Sequence, residues 1–285
     1  MVYRVDNISD IKKYLKELKK HSQYDLCEYS DSSIYRRVNK VLLDHKLSLD
    51  ELMHRTRTDP GFVDRIVEEI TVNTTEFFRD PEMWKELYTK HFQELKTKRI
   101  VNVWHAGCST GQEVYSDNIL LSELGVFEKS RIVATDLSTK VLGVAKKGEY
   151  NYRYNKSIKE NFNAVFNGGS PDAQVAFDRY FVHSEETDVI RVKDHLKKDI
   201  TFKRHDLVKG ELNSYRKFDV IFCRNVLIYF NASLQARIVK RFHDQLTNGG
   251  MLILGNHEGL TGFFKTKFVK NGPVFIKNNA FHFEY

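Results

Sequence analysis

Apolar residues recur at three- and four-residue spacing through the first 95 residues of the chain, which is the pattern of amphipathic helices. The two clearest stripes are Ile11, Tyr14, Leu15 and Leu18, and Ile34, Val38, Val41 and Leu42. Ser48 and Glu51 have the spacing of a capping box, and Asp80 precedes a proline that suits the first turn of a helix. The pattern predicts a small helical domain over residues 1–79 and a linking helix over residues 80–99.

From residue 100 onward, short apolar runs alternate with amphipathic stretches. The runs predict strands over residues 101–103, 132–134, 200–202, 218–222 and 251–254. Ser233 is expected to cap the helix before the last strand, and Asn248, Gly249 and Gly250 are expected to turn the chain into that strand. Alternating strands and helices favour a parallel, doubly wound sheet in an α/β domain over residues 100–285.

Two segments depart from this alternation. Residues 150–198 are irregular, and the apolar runs at 180–182 and 189–192 predict short antiparallel strands of a small β insert. Near the C-terminus, residues 268–270 and 274–276 flank an Asn-Gly-Pro sequence and predict a closing hairpin.

Composition narrows the class of protein. No apolar run of the 285-residue chain approaches the ~20 residues that cross a bilayer, and the N-terminus lacks a signal-type stretch. A cytoplasmic protein without membrane insertion is therefore expected. The three cysteines form no C-x-x-C pair, and His257-Glu258 lacks the second histidine of a zinc-protease motif, so no metal site is expected. The net charge of +7 arises beyond residue 80 and fits either a solvated basic surface or one that meets an acidic partner.

The most informative segment is the turn between the first predicted strand and the next helix. Gly107 and Gly111 lie in this turn, Glu113 follows it, and Asp136 ends the second predicted strand. Glycines let the backbone approach a ligand, and a carboxylate at the second strand end is placed to bind ribose hydroxyls. The chain lacks both the dinucleotide fingerprint and the phosphate-binding loop, and Glu113 would repel a phosphate. A ligand with a ribose and a cationic end fits better, and S-adenosylmethionine (SAM) is the common one.

Four strings of sequence carry a family resemblance. Residues 73–79, 106–116, 223–230 and 255–258 read NTTEFFR, AGCSTGQEVYS, CRNVLIYF and GNHE. In order and spacing they resemble the SAM-dependent chemotaxis receptor methyltransferases, the CheR family, from about residue 30 to the C-terminus. The resemblance implies an α/β fold with a SAM-dependent methyltransferase Rossmann-like sheet, a small helical N-terminal domain and a small β insert. It also implies methyl transfer to glutamate side chains on the helices of a chemoreceptor or related signalling protein, with S-adenosylhomocysteine as the product.

The resemblance further assigns roles to single residues. The positions that it implies for cofactor binding are Asn73, Thr75, Arg79, Gly107, Glu113, Asp136, Asp206, Leu207, Asn225 and Val226. At Asp206 the family usually has asparagine, which implies a changed donor and acceptor set toward the adenine. The GNHE string also differs from the family's usual His-Ser-Glu, and the β insert is unlike the versions that grip a receptor's C-terminal peptide.

Arg79 and Tyr229 are the candidates for acting on the acceptor. Arg79 would bind a carboxylate, either that of SAM or that of the incoming glutamate, and its alternative role is an inter-domain salt bridge. Tyr229 would orient the acceptor oxygen, and its alternative is a packed aromatic ring at a strand end. Simpler structural roles also exist for Asp136, as a helix cap, and for Glu113, as a first-turn acid.

Methylation of a glutamate needs little acid–base chemistry. A free glutamate, with a reference pKa of ~4.3, is already ionised at neutral pH, so no general base is required. Positioning and the exclusion of water must supply most of the rate.

Two other functions compete with this prediction. Nucleic-acid amine methyltransferases carry a [DNS]-P-P-[YF] string after the fourth strand, where this chain reads Cys-Arg-Asn-Val, so no nucleic-acid partner is expected. A non-catalytic SAM-binding scaffold stays open because of the departures at Asp206 and in residues 256–259.

Overall fold

The computed structural model describes residues 3–71, 74–168, 175–210, 212 and 216–278. The chain forms two compact units. The first contains the described parts of Met1–Asn73, Leu207–Glu211 and Val226–Ile238. The second contains those of Thr74–Asp206, Leu212–Asn225 and Val239–Tyr285.

Four helices build the first unit: α1 (Ile8–His21), α2 (Asp31–His45), α3 (Leu49–Thr58) and α4 (Pro60–Ile70). The two apolar stripes predicted from the sequence are buried. The capping box at α3 is also confirmed, because Ser48 Oγ accepts from the Glu51 N–H at 3.2 Å and Glu51 Oε2 accepts from the Ser48 N–H at 2.7 Å. The prediction of a small helical N-terminal domain is therefore confirmed.

A later segment of the chain completes this helical unit. The N–H of Ser30 donates to the carbonyl of Tyr229 at 2.8 Å, and the N–H of Asn231 donates to the carbonyl of Glu28 at 2.9 Å. The ring of Phe230 meets that of Tyr29 edge-on, with 5.1 Å between centroids. These contacts fix the backbone that follows Asn225, including Val226 and Tyr229, within the first unit.

The elements that follow α4 form a large sheet, its covering helices and a small second sheet. In chain order they are α5 (Pro81–Thr89), β1 (Val101–Ala106), α6 (Gln112–Glu123), β2 (Ser130–Asp136), α7 (Thr139–Lys147), β3 (Glu149–Asn151), α8 (Ile158–Phe166), β4 (Phe181–Ser184), β5 (Val189–Val192), β6 (Ile200–Arg204), β7 (Phe218–Cys223), α9 (Ala232–Gln245), β8 (Leu246–Leu254), β9 (Phe268–Asn271) and β10 (Val274–Lys277). Helix α9 begins in the first unit and ends in the second.

The large sheet has the strand order β6-β2-β1-β7-β8-β10-β9. Neighbouring strands from β6 to β8 are parallel, and β10 and β9 add as an antiparallel hairpin. All six residues of β7 are buried, as expected for a central strand covered on both faces. The α/β fold and the closing hairpin are confirmed, and the carboxyl ends of β6, β2, β1, β7 and β8 share one edge.

Two local predictions were wrong. Helix α9 is capped by Asn231 instead of Ser233, because Asn231 Oδ1 accepts from the Leu234 N–H at 2.9 Å. Residues 248–250 do not form a turn ahead of the last strand. They lie inside β8, where the pairing with β7 jumps from Phe218↔Leu246 to Val220↔Met251. Gly249, with φ of +70°, accommodates this irregularity.

The insert is a three-stranded antiparallel sheet in the order β3-β5-β4, which confirms the predicted strand pair and adds β3 to it.

Within the described part of the chain, every helix is too short or too polar to cross a lipid bilayer.

Candidate functional site

The Gly-rich turn after β1 is fastened to the end of β2. The N–H groups of Gly107 and Cys108 both donate to the carbonyl of Thr135, at 2.8 and 2.9 Å. Gly111 caps α6 with φ of +92°, and a Cβ atom at this position would lie 2.8 Å from the Cβ of Ala145. Only glycine satisfies both the dihedral angle and the close approach of α7.

The carboxylate of Asp136 is held against this turn. Its Oδ2 accepts from the N–H of Ser109 at 2.8 Å, and its Oδ1 accepts from the N–H of Ser138 at 3.1 Å. Burial raises the pKa of Asp136, and the N–H groups of Ser138 and Ser109 partly oppose that rise. Each carboxylate oxygen keeps further acceptor capacity, so this side chain is oriented in advance for a hydroxyl-bearing ligand.

Three ionisable side chains lie behind the turn. His105, which is fully buried, places Nδ1 3.1 Å from Glu113 Oε1 and Nε2 3.2 Å from Asp117 Oδ2. Burial alone would lower the pKa of His105, but the hydrogen bonds to Asp117 and Glu113 outweigh it and raise the pKa to about 9. A carboxylate oxygen faces each ring nitrogen, so the imidazolium form can donate from both of them.

Arg224 extends this buried network, and the sequence did not predict its role. Its guanidinium donates to Asp80 Oδ2 at 2.6 Å, to the carbonyl of Arg79 at 2.9 Å and to Glu113 Oε2 at 3.3 Å. The side chain is 2% exposed and its guanidinium carbon lies 5.8 Å from the ring centroid of Trp84. Burial raises the pKa of Glu113, but His105 and Arg224 together lower it below its ordinary value. The only sequence signal was an arginine directly after the mostly apolar run of β7, where a buried cation needs partners.

Glu258 links two strand ends. Its Oε2 accepts from the N–H groups of Asn225 and Gly255, both at 2.7 Å. Asn225 has φ of +59°, and a Cβ on Gly255 would lie 2.8 Å from that same oxygen. The GNHE string therefore has a structural role, which is to join the loops after β7 and β8.

We expect Glu258→Ala to destabilise the protein by about 2 kcal/mol, because two backbone N–H groups lose a charged acceptor and water replaces only part of it. Thermal unfolding followed by circular dichroism measures the change. Glu186→Ala is the matched control, since Glu186 lies exposed on the turn between β4 and β5 and its removal should cost less than about 0.5 kcal/mol. Equal midpoints of thermal unfolding for the two variants would contradict the role of Glu258 in joining the loops after β7 and β8.

The structure gathers several of the predicted site residues at the edge formed by the carboxyl ends of the strands. Gly107, Glu113, Asp136 and Asn225 follow or end β1, β2 and β7, and Asp206 is a half-buried residue two positions after β6. In the described part of the chain, the guanidinium of Arg79 has no ion-pair partner, which differs from the salt bridge considered as its alternative role.

The remaining predicted residues are distributed differently. Thr75 is a half-buried residue of the second unit, whereas Leu207, Val226 and Tyr229 belong to the first. Asn73 lies outside the described residues.

Comparisons with known proteins decide the family. Residues 73–273 match the model of the CheR methyltransferase SAM binding domain, and residues 9–71 match that of the CheR methyltransferase all-alpha domain. The chain belongs to the CheR methyltransferase family. It is 34% identical over 238 residues to Cher3 of Pseudomonas putida, a protein named as a methyltransferase, with 83% of this chain and 84% of the relative covered. It is 35% identical to chemotaxis protein methyltransferase 1 of Pseudomonas aeruginosa, over 79% of this chain and 80% of the relative.

A third relative, from Vibrio cholerae, is also named chemotaxis protein methyltransferase 1. It is 32% identical, with 84% of this chain and 86% of the relative covered. The resemblance read from the four strings is thus confirmed, as is SAM as the cofactor of this CheR domain. The residues fit that cofactor, because the Gly-rich turn offers an oriented carboxylate for hydroxyl groups and a second carboxylate, Glu113, for a cationic group.

Proposed function

We propose that this CheR methyltransferase transfers a methyl group from SAM to glutamate side chains of a chemoreceptor or a related signalling protein, in the cytoplasm. The observation that carries the proposal is the Asp136 carboxylate fixed against the Gly-rich turn in a chain of this family. A carboxylate in that position selects a ligand with paired hydroxyls, as a nucleoside has. Two of the relatives are named chemotaxis protein methyltransferases, which supports a chemoreceptor as the acceptor.

Asp136 would receive the ribose hydroxyls and Glu113 the ammonium group of the cofactor. Gly107 would let the backbone approach it closely. The other residues assigned to cofactor binding are Asn73, Thr75, Arg79, Asp206, Leu207, Asn225 and Val226.

When bound, SAM supplies a sulfonium methyl group whose C–S electron pair stays on sulfur while the acceptor carboxylate forms the new C–O bond, giving a glutamyl methyl ester and S-adenosylhomocysteine. The acceptor arrives already ionised, so none of the chain's residues has to remove a proton. Their work is to orient both reactants and to keep water out. Tyr229 would orient the acceptor oxygen through its hydroxyl group.

We expect Arg79→Ala to lower the rate of ester formation about thirtyfold, because an arginine that has no ion-pair partner among the described residues is available to bind a carboxylate through charge-assisted hydrogen bonds. The rate is measured with radiolabelled SAM and receptor fragments. Arg99→Ala is the control, since Arg99 is an exposed arginine and its loss should leave the rate unchanged. Equal rates for the two variants would remove Arg79 from the site.

The product distinguishes this function from its competitors. The protein is incubated with labelled SAM and candidate receptor fragments, and the labelled acceptor is then treated with mild base. Glutamyl esters release volatile methanol, whereas methylated amines keep the label. A non-catalytic scaffold binds SAM but labels nothing, and that result would refute the proposed activity.

A further inference from the structure

The carboxylate of Glu113 is held at both oxygens. Oε1 accepts from His105 at 3.1 Å and Oε2 accepts from Arg224 at 3.3 Å, so the group cannot rotate without breaking one of two charge-assisted hydrogen bonds. Each oxygen retains a further lone pair, which leaves room for a ligand's donor. A glutamate in the first turn of a helix is already stabilised by the helix dipole. The two additional basic groups that hold Glu113 therefore indicate a further role for this carboxylate.

His105 is itself fixed from two directions. Asp117, which is fully buried on α6, accepts from its other nitrogen at 3.2 Å. The face of its ring stacks on Phe222, with 4.5 Å between centroids and 6° between planes. Phe222 in turn stacks on Trp84, at 5.6 Å and 22°, and the Arg224 guanidinium lies over Trp84. The two cations that hold Glu113 are therefore supported by one continuous aromatic stack, which favours their charged forms.

The network also has a defined order of acidic and basic groups. Three carboxyl groups (Asp117, Glu113 and Asp80) alternate with two basic groups (His105 and Arg224). Burial raises the pKa of Asp117, whereas His105 and Arg224 lower the pKa of Glu113, so the negative charge that attracts a cationic ligand group lies on Glu113. Loss of a proton from His105 would remove one donor from the chain of hydrogen bonds and would leave the buried Glu113 carboxylate with less compensating charge.

We propose that His105 is a positioning residue for the cofactor: anchored on Asp117 and Phe222, it holds the Glu113 carboxylate in the orientation that receives the ammonium group of SAM. This inference rests on the proposed function only for the role of Glu113. The raised pKa of His105, about 9, agrees with a permanently charged donor at physiological pH. The charged groups that face the ring are Glu113 and Asp117 from α6, with Arg224 acting through Glu113.

The test compares two ligands that differ in the group under study. SAM carries the ammonium group, whereas 5′-methylthioadenosine keeps the adenosine and lacks the amino-acid tail. Dissociation constants for both are measured by calorimetry at pH 7 for the natural chain, His105→Asn, Glu113→Gln and the double variant. We expect His105→Asn to weaken the binding of SAM about tenfold, which is the effect of one lost charge-assisted hydrogen bond. The affinity for methylthioadenosine should stay unchanged. The double variant should bind SAM no more weakly than Glu113→Gln alone, since both residues act through one carboxylate.

If His105 had only a structural role, His105→Asn would weaken the binding of both ligands equally, and that result would overturn the inference. Unchanged SAM binding by His105→Asn would also overturn it. If the natural chain binds SAM with the expected pattern but forms no ester, the proposed function fails and the positioning role stands. If Glu113→Gln binds SAM normally, the positioning role fails while ester formation can still be observed.

A second measurement serves if His105→Asn does not fold, because it needs only the natural chain. Nitrogen-15 spectra of labelled histidines report the protonation of each ring, and His105 should remain an imidazolium at pH 8 and shift when SAM binds but not when methylthioadenosine binds. A neutral His105 ring at pH 7, or equal shifts with both ligands, would overturn the inference.

Discussion

Replacing Asp136 with alanine should weaken SAM binding by about a thousandfold, the combined effect of two lost hydrogen bonds to a charged group. Asp136 is 8% exposed, and its carboxylate is already oriented by the N–H groups of Ser109 and Ser138. Its removal takes away the acceptor for the ribose hydroxyls and also the oxygen that binds the N–H of Ser109 in the turn. Calorimetry with SAM measures the loss, and ester formation should fall with it.

Asp219→Ala is the matched control for this variant. Asp219 is also a buried aspartate of the large sheet, 4% exposed, and its Oδ2 accepts from the N–H of Asn102 at 2.9 Å. It lies near the starts of β1 and β7, at the opposite edge from the strand ends that carry Asp136. Its loss should destabilise the fold without changing SAM affinity. Near-normal SAM binding by Asp136→Ala, or an equal loss in Asp219→Ala, would contradict the assignment of Asp136.

The position of Asp136 could be predicted because it follows from local sequence. An apolar run, a Gly-rich turn, an amphipathic stretch and a second apolar run place the end of one strand beside the turn after another. The strand pairing Ala106↔Thr135 then brings the turn and the carboxylate together. No long-range information beyond the parallel pairing of neighbouring strands was needed.

The partners of Glu113 could not be predicted in the same way. Glu113 was expected either to meet the ammonium of SAM or to serve as a first-turn acid, yet it binds His105 and Arg224, and Arg224 is 111 residues away in sequence. The periodicity of apolar residues shows which face of an element is buried but does not show which buried polar groups meet there. Glu258 illustrates the same limit, because its role depends on two strand ends that become neighbours only in the folded sheet.

Local capping was misjudged for a simpler reason. Asn231 and Ser233 are both good helix caps, and they lie two residues apart. The sequence offers both, and the choice depends on where the backbone leaves its extended conformation. The N–H of Asn231 is bound to the carbonyl of Glu28, which fixes Asn231 just before the first turn of α9 and leaves its side chain to cap the helix.

The buried network makes the stability of the protein depend on Arg224. We expect Arg224→Met to destabilise the protein by about 4 kcal/mol and to lower the midpoint of thermal unfolding by about 10 °C, because Glu113 and Asp80 lose their shared cation while Glu113 remains buried. Methionine keeps much of the apolar volume beside Trp84, so the effect reports the lost charge more than a cavity. Thermal unfolding by calorimetry or circular dichroism measures it.

Arg179→Met is the control that separates the effect of burying an ion pair from the effect of the ion pair itself. Arg179 also pairs with a glutamate, Glu123, at 3.0 Å and also lies over an aromatic ring, that of Tyr180, but its side chain is 61% exposed. An exposed pair is screened by water, so its loss should cost only about 0.5 kcal/mol. Adding Glu113→Gln to Arg224→Met should recover part of the stability, because the second change removes the unpaired negative charge that the first one leaves. If Arg224→Met costs no more than Arg179→Met, the alternating charges behind the Gly-rich turn do not hold the site together.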